Sequence, residues 1–340
     1  LSEQPTSAKY STWPFRLAVA VALATFPLIW VGGLVTTTKA GMAVPDWPGT
    51  YGYNLFLYPW QTWLFGPWDL FIEHGHRLFG AAVGMLAILL VAVTWRCDGR
   101  RWLWLASLGG LALVIVQGVL GGARVLLSDP MIAPVHGCVG PLFFAYACSL
   151  AVFTSRFWQS SPPAAADSVG TPLARTAWIL AATAYVQLVL GSLVRHVPPS
   201  ASPGFFRAVV FLHLIAAGVL LIQAVIFHVG ALRSGCIAGR AVRWLSLTAV
   251  LLILAQVTLG VATWVSKYAW PAELGMFDFA AAHLTVASSF TQSLIVTAHV
   301  AGGSLILAVS VIQAWCLSRR FFRLRDADSA RTHCLLRAAA

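Results

Sequence analysis

Residues 102–127, WLWLASLGGLALVIVQGVLGGARVLL, and 131–154, MIAPVHGCVGPLFFAYACSLAVFT, decide the fold between them. The first is unbroken apolar sequence whose one charge is Arg124, and neither stretch alternates with period two. Each exceeds the roughly 20 residues a helix needs to cross a bilayer. Barrel strands would be about 10 residues long and would alternate. Backbone exposed to lipid must satisfy its own hydrogen bonds, so both stretches read as helices. The first closes on Gln117-Gly-Val-Leu-Gly121, and after a short loop the second opens with His136 near its start. That is a helical hairpin.

The hairpin recurs along the chain. Gln187-Leu-Val-Leu-Gly191 and Gln256-Val-Thr-Leu-Gly260 end two further apolar runs, and the related Leu28-Ile-Trp-Val-Gly32-Gly33 ends the first. Each is followed by a loop and then by a run with a histidine near its leading end: His76, His136, His213 and His299. Apolar runs near 15–38, 76–96, 102–127, 131–154, 172–194, 205–230, 241–265 and 292–317 give eight crossings. The predicted fold is an all-α membrane protein of eight transmembrane helices, arranged as two pseudo-symmetric four-helix bundles. Residues 1–159 form the first, 160–171 a linker, 172–318 the second and 319–340 a basic tail. The glycines read as close-packing positions between helices. A buried glutamine in lipid needs a partner, either a backbone carbonyl or a bound group.

Composition agrees. The 340 residues are 59% hydrophobic and 10% charged, with mean hydropathy +0.79, against about 25% charge in soluble domains. A water-soluble enzyme is excluded. The net charge of +11 reports orientation rather than nucleic-acid binding: 16 of the 22 Lys and Arg fall on one side of the predicted topology. The positive-inside rule then places both termini in the cytoplasm. Lys39, Arg77, Arg124, Arg195, Arg207 and Lys267 lie on the opposite side. Leu1–Tyr10 shows no targeting pattern. The six cysteines form no disulfide framework.

Four histidines at matching depth, two per bundle on helices running the same way, face each other in pairs. Two imidazoles opposed across a bundle core suit the axial positions of haem iron. Zinc would need three or four converging ligands, and copper prefers Cys or Met, of which only Cys138 stands near a candidate. Arg77, Arg124, Arg195 and Arg207 lie where porphyrin propionates would emerge, although such side chains also snorkel to the interface. Glu73, three residues before His76, has no counterpart before His213 or His299, where Val210 and Val296 stand. A carboxylate beside one site can move protons, which points to a reactive first half and an accessory haem in the second. The alternative for Glu73 is an i,i+4 pair with Arg77.

The segment Gly32-Gly33-Leu34-Val35-Thr36-Thr37, leading to Ala40-Gly41-Met42-Ala43-Val44-Pro45-Asp46-Trp47-Pro48 and then Glu73-His74-Gly75-His76-Arg77, resembles the haem A synthase family of cytochrome oxidase assembly enzymes. The resemblance implies oxidation of the C8 methyl group of haem O to the formyl group of haem A through hydroxylated intermediates. It implies that His76 and His136 flank the substrate haem with Glu73 catalytic, and that His213 and His299 bind haem b. It also implies a bacterial inner membrane, a haem O synthase as the source of substrate, and an electron donor. Some family members carry a cysteine pair in the outer loops. Residues 39–75 and 195–205 here contain none, so electrons are expected through the second haem instead.

Trp47, Trp60, Trp63 and Trp68 make the first outer loop aromatic, which fits an interfacial belt or a lid from Tyr58 to Phe71 over the first site. His74, His196, His228, His283 and His333 read as non-ligands. The competing function is a bis-histidine di-haem electron-transfer cytochrome, which would leave its haems unaltered. A transporter would carry charge near the midplane, and the runs contain none there.

Overall fold

A computed structural model describes residues 11–129, 131–160, 170–198, 200–234, 239–268 and 289–338. Lys9, most of the 160–171 linker, Cys236, His283 and the side chains of His333, Cys334 and the basic tail lie outside the described residues. The elements are α1 (Trp13–Thr37), α2 (Trp60–Leu64), α3 (Trp68–Cys97), α4 (Arg101–Leu127), α5 (Ile132–Thr154), α6 (Arg156–Ser160), α7 (Gly170–Arg195), α8 (Pro203–Arg233), α9 (Gly239–Tyr268) and α10 (Phe290–Ala338). All except the short α2 and α6 are long and apolar enough to cross a membrane, α10 doing so over Phe290–Arg319. The chain is a multi-pass membrane protein.

Local sequence sets the helix starts. Pro14 and Pro203 occupy the first turns of α1 and α8, where a missing N–H costs nothing. Ser202 caps α8 by accepting from the Phe205 N–H at 3.2 Å. Two helices extend by two turns or more beyond their hydropathy runs. α3 begins at Trp68 rather than 76, so His76 lies about two turns inside its helix instead of opening it. Asp69, Glu73 and His74 end the apolar run, yet Glu73 and His74 are buried with polar partners. α10 likewise continues as helix through the basic segment to Ala338.

Helix neighbours close two rings. α1 packs on α3, α3 on α4, α4 on α5 and α5 on α1; α7 packs on α8, α8 on α9, α9 on α10 and α10 on α7. α3 and α5, and likewise α8 and α10, stand diagonally across their rings. One core gathers Ala18, Val21, Val83, Leu103, Phe143 and Phe144. The other gathers Leu180, Phe227, Ile253 and Ala314. The rings interlock, because Ala308 of α10 sits in the first core and Ala145 of α5 in the second. Across this seam Thr37 and Thr297 hydroxyls meet at 3.1 Å, and the Trp315 indole donates to Ser149 at 3.0 Å. Exposed Leu23, Ile88, Ile222 and Leu254 form apolar outer surface of the kind a bilayer covers.

Candidate functional site

The four recurring glycines each face the imidazole of the following helix. A Cβ at Gly121 would stand 3.2 Å from His136 Cε1, and at Gly191 or Gly260 it would stand 3.1 Å from the same atom of His213 or His299. At Gly32 the distance to His76 falls to 2.8 Å. These glycines are cradles for the rings as well as close-packing positions. His76 and His136 come from the diagonal helices α3 and α5, and His213 and His299 from the diagonal α8 and α10.

The His213 and His299 ring centres lie 6.4 Å apart with planes at 77°. Two nitrogen–metal bonds of about 2.0–2.1 Å, plus the offset of roughly 1.1 Å from each nitrogen to its ring centre, require about 6.3 Å. The spacing of the ring centres matches that of two imidazoles on one metal. Nδ1 of His76, His213 and His299 is buried without a hydrogen-bond partner, as a ring awaiting a ligand would be. Among the described residues no group of three or more His, Cys, Asp or Glu gathers as a metal site. Paired neutral imidazoles alone suit haem, whose porphyrin supplies the other four nitrogens.

Glu73 is buried, and both of its oxygens are engaged: Arg77 donates to Oε1 at 2.7 Å and the Val44 N–H to Oε2 at 3.0 Å. The i,i+4 pair weighed from sequence therefore forms. The Arg77 guanidinium also donates to the carbonyls of Val44 at 2.9 Å, Gly49 at 2.8 Å and Asp46. Its donors are committed to the loop between α1 and α2. Asp46 accepts from the N–H groups of Tyr51 and Gly52 at 2.7 and 2.9 Å. Burial works to raise its carboxyl, but those two N–H groups and the Arg77 charge outweigh it and hold the group below its ordinary value. His74 meets the Thr50 hydroxyl at 2.8 Å and packs on Tyr58 and Trp63, a structural role. Trp47 lies flat against Gly122 of α4, so the loop is pinned to both α3 and α4.

The basic residues separate into groups. Arg124, Arg195, Lys267 and His196 lie within electrostatic reach of one another at the histidine end. Arg195 donates to the Gly33 carbonyl at 2.9 Å, while Arg124 presses on Gly41 without an ion pair among the described residues. Burial, reinforced by Arg195, Arg124 and Lys267, pushes His196 down to about 4. Crowded like charge of this kind suits an anion. Arg207 is exposed near the start of α8, and no described hydrogen bond or ion pair ties it to the cluster. Lys267 and His196 were missed as partners of Arg124, because only the tertiary fold brings the ends of α4, α7 and α9 to one place. The room around the histidines was also missed. His76-x-x-x-Gly80, His136-x-x-x-Gly140 and His299-x-x-x-Gly303 form a second repeat that sequence inspection could have found.

Residues 67–199 match the COX15-CtaA family, described as cytochrome oxidase assembly protein. Similar curated proteins include the heme A synthase of Shouchella clausii, 30% identical over 192 residues that make up 53% of this chain and 58% of that protein. The heme A synthase of Symbiobacterium thermophilum is 28% identical over 179 residues, 51% of this chain and 56% of its own length. That of Listeria monocytogenes is 30% identical over 142 residues, 40% and 43% respectively. The chain thus spans about half the length of the curated relatives it matches. His76, His136, Arg124 and Arg195 fall within the matched segment, and His213 and His299 beyond it. The family match therefore lies over the segment that holds Glu73 and the first histidine pair.

Proposed function

We propose that this chain is a haem A synthase, an oxidoreductase that converts the C8 methyl group of haem O to a formyl group through hydroxylated intermediates. The observation that carries the reading is the fourfold placement of an imidazole in a glycine cradle, with one pair spaced to take a single metal. In this reading residues 1–159 form the substrate half and residues 172–318 the accessory half. His76 and His136 hold the substrate haem O, and His213 and His299 hold haem b, which supplies one-electron transfer when bound. Arg124 and Arg195, with Lys267 beside them, take the propionates and so fix which way the porphyrin faces.

Glu73 stands one turn before His76 on α3, close enough to accept or relay protons at the reacting edge. Arg77 holds Glu73 in place and ties the first loop over that end of the bundle, which limits access of water. The Lys and Arg distribution supports cytoplasmic placement of both termini, and the family resemblance implies a bacterial inner membrane. A haem O synthase would deliver substrate, and a separate donor would supply electrons.

The bis-histidine electron-transfer cytochrome is the second reading. One observation favours it: both Glu73 oxygens are already engaged. Glu73→Gln, purified from cells that supply haem O, separates the two. The synthase reading expects haem to be retained and haem A formation to be abolished, and normal conversion in that variant would remove Glu73 from the chemistry. Protohaem alone in the wild-type protein would establish the cytochrome.

A further inference from the structure

The repeated glutamine is not used by the mechanism above, and the structure gives it a place. In the hairpin of α4 and α5, the Gln117 side-chain amide donates to the His136 carbonyl at 2.9 Å and lies 3.4 Å from His136 Nε2. The Gln117 backbone carbonyl is 3.2 Å from His136 Nδ1. In the hairpin of α7 and α8, the Gln187 amide again lies 3.4 Å from Nε2 of His213. In the hairpin of α9 and α10, the Gln256 amide donates to the His299 carbonyl. Two imidazoles therefore have a glutamine amide against the ring, and a third histidine is held by a glutamine through its main-chain carbonyl, in each case one turn below the glycine that cradles the ring.

Room for the amide is built in. A Cβ at Gly140 would stand 3.2 Å from the Gln117 amide nitrogen, and one at Gly303 3.6 Å from that of Gln256. The first hairpin differs. Leu28 occupies the glutamine position, four residues before Gly32 as Gln117 is before Gly121. Gly80, the counterpart of Gly140 and Gly303, has nothing within 4 Å of where its Cβ would be. A leucine cannot donate, so the first hairpin has no amide at this position to hold His76.

Groups that orient a metal-bound histidine typically contribute 10–100-fold in metal affinity. We propose that Gln117, Gln187 and Gln256 are positioning residues for haem-ligating imidazoles, and that Leu28 leaves His76 as the one axial ligand held loosely enough to release its iron. The inference rests on the haem reading above and deepens it. His213 and His299 each have a glutamine amide, on the ring of the first and on the main-chain carbonyl of the second, as suits a resident haem. The pair His76 and His136 is gripped on one side only, as suits a substrate that enters and leaves at each turnover.

The test measures haem transfer from the purified, haem-loaded protein to excess apomyoglobin, together with the low-spin absorption and electron paramagnetic resonance spectra. Wild type should lose haem in a fast and a slow phase, the fast one absent in His76→Ala. Leu28→Gln should slow the fast phase by about 10-fold or more. Gln187→Met, which keeps side-chain length without a donor, should accelerate the slow phase by about 10–100-fold and alter the low-spin signal. Leu28→Gln adds an interaction, so a slowed phase cannot come from misfolding. Unchanged rates in both variants, with the wild-type low-spin spectrum intact, would overturn the inference. A wild-type protein without low-spin haem at either pair would instead overturn the functional reading, before any variant is compared.

Discussion

Arg77 and Glu73 lie one helical turn apart, with side chains 9% and 4% exposed, and each satisfies the other. Removing one member of a buried pair strands its partner, so Arg77→Met leaves Glu73 without its cation and three loop carbonyls without a donor. The expected loss of stability is about 3–5 kcal/mol, measurable by denaturant unfolding in detergent. Sequence spacing made the pair visible as one of two roles for Glu73. It could not show that Arg77 is also consumed by the loop, because Val44, Asp46 and Gly49 approach only once the chain has turned back on itself. Arg124 and Arg195 are the opposite case: nominated by their side of the membrane, they are brought together by folding and joined by Lys267 and His196.

At the scale of the element, the segment between α1 and α3 is an anchored cover rather than a free loop. The aromatic residues read as either belt or lid divide by exposure: Trp60, Phe65 and Trp68 are exposed, whereas Trp63 packs on Phe71 and His74 and donates to the Phe71 carbonyl at 2.9 Å. Asp46 holds the turn through Tyr51 and Gly52. Its folded carboxyl keeps its charge to lower pH than a free one, so its contribution is complete above about pH 4 and is lost as pH falls through the lower folded value. Proteolysis of this segment should therefore rise on acidification below about pH 4, and Asp46→Asn should be cut readily at every pH. The eight crossings themselves were legible, since apolar length suffices to find them. The start of α3 was not, because buried polar residues with partners look like loop when counted one at a time.

For the whole molecule, the seam between the two rings joins them into one packed body. Gly33 sits on that seam, where an added Cβ would stand 2.8 Å from Thr297 Cγ2 and where Arg195 finds a carbonyl. Gly33→Val should wedge α1 from α10 and cost about 1–3 kcal/mol by overpacking, seen as a lowered midpoint of thermal unfolding. The seam was not readable from sequence, since nothing in a single hairpin says which of its faces meets another copy. Equal depth and a common helix direction led to the expectation that the histidines pair across diagonals, and the His213 and His299 ring centres lie 6.4 Å apart.

The central claim is that each half holds its own haem between its own two histidines. Extraction and chromatography of the haems bound to purified wild type, His76→Ala, His136→Ala, His213→Ala and His299→Ala, all expressed with a source of haem O, tests it most directly. The wild type should yield protohaem together with haem O or its oxidised products. Protohaem should be lost from the His213 and His299 variants alone, and the others from the His76 and His136 variants alone. Identical haem content in all five proteins, or no haem in any, would contradict the account.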